Sequence, residues 1–264
     1  MLEANNCANC DRAIAGPEQK FCPACGQDTP AHRIDWHFLG HELEHSVLHM
    51  DRGILYSLKQ LMLRPGHLMR DYIEGRRAGQ VKPVLLLTMM AAVVVVLSKY
   101  LTGHEVMVAG AVGETAGSSA GTAALQAQLF KASMAVTEWM SQHFAASTLL
   151  LLPFEAAAFR LAFLRVGKLN YPEWLVITTF LTVQTFVLWA VLVALHRWVP
   201  QTQLWALVLS VAYGIFSLVQ FFGGYPRWKS VIRTLVGFGI FMVISTLLIQ
   251  ILVVAVVAMF MGKA

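Results

Sequence analysis

Charge is what this 264-residue chain has least of: Asp, Glu, Lys and Arg make up 13% of it, against 57% apolar residues. Soluble domains carry about 25% charged and roughly 45–50% apolar residues. The deficit excludes a water-soluble globular fold for most of the chain and makes lipid its solvent. Cysteine is absent after residue 25, which excludes a disulfide framework in the apolar part. All four cysteines crowd the N-terminus, and in a reducing compartment such a cluster reads as a metal site rather than as two disulfides. Residues 1–30 also lack a basic stretch followed by an apolar run. They are therefore not read as a cleavable signal peptide, and the N-terminus is expected to stay in the cytosol. No nucleophile–base pair stands out, so an enzyme is not expected.

The charge that is present is unevenly placed. Residues 1–82 hold ten Lys/Arg and ten Asp/Glu, so the net charge of +5 arises in short loops between apolar runs. That pattern speaks of membrane topology, and nucleic acid is not an expected partner. Five apolar stretches are long enough to cross a hydrocarbon core of ~30 Å: 83–102, 144–165, 173–196, 202–222 and 233–261, the last expected to tilt or to begin as an interfacial helix. Basic residues flank them asymmetrically. Arg76, Arg77 and Lys82 precede the first span, Arg165 and Lys168 follow the second, and Arg227, Lys229 and Arg233 follow the fourth. The opposite loops hold Lys131 and Arg197 against Glu105, Glu114 and Glu138. A cytosolic N-terminus and an outer C-terminus satisfy the positive-inside rule. The membrane expected is a bacterial cytoplasmic (inner) membrane.

The chain thus divides into residues 1–30, a cysteine module; 31–82, polar and amphipathic helices on the cytosolic side; and 83–264, the spans, with an outer loop at 103–143. The first half of that loop is rich in Gly, Ala, Ser and Thr. In its second half, Leu125, Leu129, Val136 and Met140 recur at helical spacing and predict an amphipathic helix leading into the second span. Before the first span, Ile54, Leu55, Leu58, Leu61 and Met62 make one apolar helical face, broken by Arg64-Pro65-Gly66 and followed by a short helix over about 67–77. One reading lays this unit on the cytosolic membrane surface, with Arg64, Arg70, Arg76 and Arg77 meeting anionic lipid phosphates. The other packs it on the protein itself. Both stay open at this point.

Three motifs carry chemistry. Cys7-x2-Cys10 and Cys22-x2-Cys25 each aim two thiolates at one point, and two such turns close a tetrahedral four-thiolate site. With no open position the site should be structural, and zinc is the expected metal; a rubredoxin-like iron site and paired disulfides are the alternatives. His37, His41, His45 and His49 form a stripe four residues apart, and His41-Glu42-Leu43-Glu44-His45 matches the zinc-peptidase pattern H-E-x-x-H. The match is short, lacks a third ligand and lies in a polar helix, so a solvated face or a secondary metal site at His41 and His45 is preferred over a metalloprotease. Third, Glu155 sits within the second span just after Pro153, and Gln184 lies at similar depth in the third. With Tyr213, Ser245 and Gln250 they could converge on a midplane polar site, as in transporters. The opposing reading is a protonated Glu155 hydrogen-bonded to a neighbouring helix, a contact that holds the bundle together.

The succession Cys22-Pro-Ala-Cys25-Gly26-Gln27, Leu63-Arg64-Pro65-Gly66, Arg70-Asp71-Tyr72, Gly75-Arg76-Arg77 and Lys82-Pro83 resembles a bacterial family of zinc-ribbon, multi-pass membrane proteins catalogued as a domain of unknown function. The likeness is sharpest over 7–90 and continues more loosely through Leu152-Pro153 to Phe186. It implies a zinc ribbon ahead of a helical membrane domain. That family has histidines in the third span where this chain has Thr182 and Gln184, a departure that counts against an intramembrane metal. The span layout also resembles the Yip family of trafficking proteins. The sequence as a whole describes an all-α membrane protein, a five-transmembrane-helix bundle preceded by a small cytosolic zinc ribbon and amphipathic interfacial helices. The expected role is a non-enzymatic scaffold that binds a protein partner or anionic lipid. A small transporter or channel around Glu155 is the alternative, and the oligomeric state is not legible.

Overall fold

The computed structural model describes residues 6–16, 19–29, 31, 33–45, 53–103, 120–199 and 201–261. Among them the fold is all-helical, with two isolated β-bridges near the cysteines. The helices are α1 (Trp36–His45), α2 (Ile54–Leu63), α3 (Pro65–Ile73), α4 (Pro83–Leu97, continued by a π-turn at Ser98–Thr102), α5 (Ala120–Gln142), α6 (Phe144–Ala162), α7 (Tyr171–Ala194), α8 (Thr202–Phe221) and α9 (Arg227–Met261). Five segments are long and apolar enough to cross a membrane: α4 with its π-turn, α6, α7, α8 and Arg227–Ala258 of α9. They fall within a few residues of the expected spans. The largest difference is at α9, which begins six residues before 233 because the helix starts directly after Pro226, whose carbonyl accepts from the Ser230 N–H at 3.1 Å.

Helix α7 is the axis of the bundle, with α4, α6 and α8 around it and more of its surface buried than in any other span. Trp174, Ile177, Phe180 and Val183 are 0–1% exposed. Its start is fixed by a capping box: the Asn170 side chain accepts from the Glu173 N–H, Glu173 Oε2 accepts from the Asn170 N–H, and Pro172 occupies the first turn. Helix α9 lies outside, against α6 and α8. It approaches closely because Gly237 faces the Phe159 ring and Gly214 of α8 faces the Phe238 ring, where an added Cβ would stand 2.9 and 2.8 Å away. Its 35 residues measure about 52 Å, longer than the ~30 Å hydrocarbon core. The excess is used. Helix α5 joins α6 at His143, and Ala132, Val136 and Met140 pack on Val253 and Val257 near the end of α9. The amphipathic helix expected in the second half of the outer loop is this α5.

The unit before the first span departs from the membrane-surface reading. Helices α2 and α3 form a hairpin packed against α8 and α7, with its apex residues Leu63 and Arg64 left exposed. The Tyr213 hydroxyl donates to the Met62 carbonyl, Gln184 Nε2 to the Leu61 carbonyl at 3.4 Å, and the Gly66 N–H to Gln220 Oε1 at 2.7 Å. Gln184 lies thirteen residues into α7 and Tyr213 eight residues before the end of α8, depths of about 20 and 12 Å along those helices. Carbonyls at a helix end have no intrahelical donor and cannot be left bare in an apolar setting. These side chains meet that need. Of the expected five-residue apolar face, Leu61 is fully buried and Ile54 and Leu58 pack against the core, whereas Leu55 is 81% exposed. The inward position beside Leu61 belongs to Ser57, whose hydroxyl accepts from the Val81 N–H at 2.9 Å. Helix α3 ends at Ile73, earlier than the expected 77. Gly75 adopts φ +90, and the Arg76 N–H closes back on the Asp71 carbonyl at 2.8 Å, a Schellman stop.

Candidate metal centre

Each cysteine pair occupies the same local turn. The Cys7 N–H donates to the Arg12 carbonyl and the Asp11 N–H to the Cys7 carbonyl; in the second turn the Cys22 N–H donates to Gln27 and the Gly26 N–H to Cys22, all at 2.8–2.9 Å. The residue four after the first cysteine is left-handed in both, Asp11 at φ +59 and Gly26 at φ +74. That conformation is cheap for glycine and tolerated by aspartate, which is why the second turn reads more clearly in sequence than the first. One antiparallel bridge closes each turn, Asn6 with Ala13 and Phe21 with Asp28.

The two turns face each other. Cys7 Sγ lies 3.6 Å from Cys25 Sγ and Cys10 Sγ 3.6 Å from Cys22 Sγ, and all four sulfurs fall within 4.8 Å of one another. A tetrahedral four-thiolate zinc site with bonds of about 2.3 Å places its sulfurs about 3.8 Å apart, so the donor set fits such an ion. The separations exceed the ~2.05 Å of a disulfide, and the four cysteines are free. The Cys22 thiol is drawn down to about 6, first by the Ala24 N–H and then by that of Cys25, both directed at its sulfur. Burial works against ionisation of Cys25, yet the Gln27 N–H and its neighbours hold that thiol below its ordinary value. Cys10 is pushed up to about 12: the Arg12 N–H pulls the other way, but burial and hydrogen bonding to the other three sulfurs keep its proton on. Backbone N–H groups aimed at sulfur support the thiolate form that a metal requires.

The module is seated on the bundle. Gln27, 5% exposed, turns its Oε1 to the N–H groups of Arg77 and Ala78 at 3.0 and 2.8 Å. Arg77 in turn spreads over the rings of Phe38 and Tyr72, with Cζ 4.2 and 5.3 Å from their centroids, and Tyr72 meets Phe180 of α7 edge-on. Beyond the cysteines, Arg33 forms a two-point ion pair with Glu173 at 2.6 and 2.9 Å, Asn170 Nδ2 donates to the Ile34 carbonyl at 2.8 Å, and Ile34 is fully buried. Glu173 holds the Arg33 guanidinium above its ordinary value, first through the hydrogen bonds and then through charge. The sequence reading missed Arg33, Asn170 and Glu173 as docking residues. The signal was present as Asn170-x-x-Glu173, a capping box with Pro172 inside it.

Replacing Gln27 with alanine would strand two backbone donors near the base of the module, at about 1–3 kcal/mol for a buried unsatisfied group. Gln27→Ala is expected to keep its metal while residues 19–45 become more accessible to limited proteolysis. Unchanged cleavage would show that Gln27 does not hold the module in place.

The other expected residues are found elsewhere. His41 and His45 lie on α1, whose first turn is capped by Asp35 Oδ1 accepting from the Phe38 N–H at 2.8 Å. The placement of their side chains, and all of His49, lies outside the described residues, and His37 is exposed. Among the described residues the four cysteines are the group that could hold an ion. Three of the four arginines expected to meet lipid are engaged by the protein. Arg70 donates to the carbonyls of Phe221 and Gln220 and so caps α8, Arg76 pairs with Asp71 and Glu74, and Arg77 is held as described. Arg64 is exposed at the hairpin apex.

Glu155 and Gln184 do not converge. Glu155, 7% exposed, accepts from the Thr182 hydroxyl at 3.0 Å, whereas Gln184, 2% exposed, accepts from the Ser217 hydroxyl at 3.0 Å and reaches toward α2. Thr182 and Gln184 are two residues apart on α7, about 200° around the helix. One faces α6 and the other faces α2 and α8. A Glu155→Gln chain keeps a side chain that can bond Thr182, so its thermal unfolding in detergent should move by less than a Glu155→Ala chain, which loses an interhelical bond of about 0.6 kcal/mol. A larger loss for Gln than for Ala would show that the charge itself is needed.

Fold and site together define an all-α, multi-pass membrane protein with a four-cysteine metal-type centre seated at one end of its bundle. A family model described as "Protein of unknown function (DUF3667)" matches residues 51–95, the stretch that holds α2, α3, the turn after it and most of α4. The match begins beyond the cysteines, so the zinc-ribbon likeness rests on the residues themselves, and the Yip likeness remains one of span layout. No curated protein and no solved structure matches the chain.

Proposed function

We propose that this chain is a zinc-binding scaffold of the bacterial inner membrane, with its N-terminus in the cytosol and its C-terminus outside. Its four-thiolate zinc is structural, and it holds a small docking surface against the cytosolic end of the bundle. The observation that carries the reading is the gathering of Cys7, Cys10, Cys22 and Cys25 with sulfurs within 4.8 Å. A closed four-sulfur shell leaves no position for substrate or water, which favours a structural over a catalytic metal. Orientation rests on the basic residues that flank one end of the spans. A midplane transport site around Glu155 and Gln184 draws no support: Glu155, on α6, meets Thr182 on one face of α7, whereas Gln184 leaves the opposite face toward α2 and α8.

Metal analysis of the purified full chain tests the reading, with one zinc per chain expected. Recovery of the chain without metal, or with iron in stoichiometric amount, would overturn it.

A further inference from the structure

Two loops meet at the end of the bundle that carries the cysteine module. Residues 163–170 join α6 to α7, and residues 222–226 join α8 to α9. Phe163 stacks on Phe222 with centroids 4.9 Å apart, Gly167 lies against the Phe222 ring, and Arg233 Nη1 donates to the Ala162 carbonyl at 2.6 Å. From this braced platform Arg165, Lys168, Arg227 and Lys229 point outward, all exposed. Glu173 is the last acidic residue of the chain, and Arg33 already occupies it. Neither loop supplies a counter-charge.

Local preferences are broken here in one direction. Arg165 and Lys168 hold left-handed backbone at φ +66 and +50, uncommon for residues other than glycine and asparagine. Arg227 and Lys229 stand in the first turn of α9, where the helix dipole disfavours cations and no acidic residue offsets them. The Lys168 carbonyl accepts from Arg33 at 3.0 Å, which fixes its turn with the side chain outward, and departures of this kind gather at functional sites. Beside these cations stand exposed apolar side chains, Leu164 at 53% and Trp228 at 63%, with Lys229 Nζ 5.4 Å from the Trp228 ring. Tryptophan at the first turn of a membrane span, flanked by Arg227 and Lys229, matches the boundary between acyl chains and headgroups.

We propose that these two loops form a docking surface for anionic phospholipid headgroups, with Arg165, Lys168, Arg227 and Lys229 on the phosphates and Leu164 and Trp228 at the acyl boundary. The proposal deepens the scaffold reading and rests on its placement of this end at the cytosolic leaflet. It moves the lipid contact away from Arg70, Arg76 and Arg77, which the protein itself engages. A lipid surface is preferred to an acidic protein because the exposed cations and apolar side chains alternate at the ends of spanning helices.

The test uses the purified full chain in detergent, exposed to equal amounts of phosphatidylglycerol and phosphatidylcholine with the same acyl chains, and counts retained lipids by native mass spectrometry. The unaltered chain should retain phosphatidylglycerol preferentially. The variant R165Q/K168Q/R227Q/K229Q, checked for unchanged thermal unfolding, should lose that preference by at least about tenfold, since each cation near an anionic surface adds to the attraction. Should this variant unfold early, R165Q/K168Q and R227Q/K229Q are read separately, each expected to lose part of the preference. Lys131→Gln, on α5 away from these loops, should leave it intact, as should Cys22→Ser/Cys25→Ser, which separates this proposal from the zinc reading. Glycerol phosphate alone should not compete. An unchanged preference in the charge variants, or full competition by glycerol phosphate, would overturn the proposal.

Discussion

Cys22→Ser/Cys25→Ser is expected to abolish metal binding and release the N-terminal module while leaving the spans folded. The reasons lie in how little else holds residues 6–29. Two isolated bridges and a few turn hydrogen bonds replace secondary structure there, and a unit this small has no hydrophobic core of its own. Its order depends on an ion that ties Cys7 and Cys10 to Cys22 and Cys25. The bundle has its own support in the packing of α4, α6 and α8 around α7. Limited proteolysis within residues 6–29 should therefore quicken by on the order of a hundredfold, as expected when a folded segment opens freely. The helical circular dichroism of the membrane domain should stay. Because Gln27 sits two residues past Cys25 and holds Arg77 and Ala78, the turn over 74–82 should also loosen, detectable as faster amide exchange at Ala78. A double variant that keeps both metal and protease resistance would remove the basis for a structural ion.

Gly66→Ala is the second large effect. A Cβ at this position would stand 2.3 Å from the Phe221 nitrogen and 2.6 Å from the Gln220 carbonyl carbon. Both are backbone atoms of α8 and cannot swing aside. To make room, α3 must move off α8, and that breaks the Gly66 bond to Gln220 and the cap that Arg70 places on the α8 carbonyls. Overpacking of a tight contact costs about 1–3 kcal/mol, and the lost bonds add to it, so a total of about 3 kcal/mol or more is expected in thermal unfolding. Gly239→Ala is the matched control: it lies in α9 with nothing within 4 Å of its added Cβ, and its unfolding should shift little. If the two variants unfold alike, the close seat of the hairpin against α8 is wrong.

The spans were legible because lipid permits few solutions. A backbone crossing hydrocarbon must satisfy itself as helix, and about 20 apolar residues announce that. The four cysteines were legible because thiolate pairs at that spacing have few other uses. The two helices before the first span were legible too, but the seat of their hairpin against α7 and α8 was not, because what anchors it leaves almost no trace in composition. Ser57 is buried for the bond it accepts from Val81, and Arg70 binds bare carbonyls that any residue could provide. Expecting Arg70, Arg76 and Arg77 to meet lipid followed from treating every cation at a membrane face as free. The possible convergence of Glu155 with Gln184 rested on depth alone and not on rotation: once Thr182 takes Glu155, helical geometry turns Gln184 away, and the interhelical hydrogen-bond reading of Glu155 is the one that fits. The seat of the ribbon at Asn170 and Glu173 could have been read, since their spacing marks a helix start, but nothing in the sequence paired Glu173 with Arg33 across the chain.

One ion in one four-sulfur shell holds the module together. X-ray absorption at the zinc edge of the purified full chain measures that shell directly. A single shell of four sulfurs at about 2.3 Å is the expected spectrum. A shell with nitrogen or oxygen scatterers in place of sulfur, or no zinc to measure, would contradict the four-cysteine centre on which the scaffold reading stands.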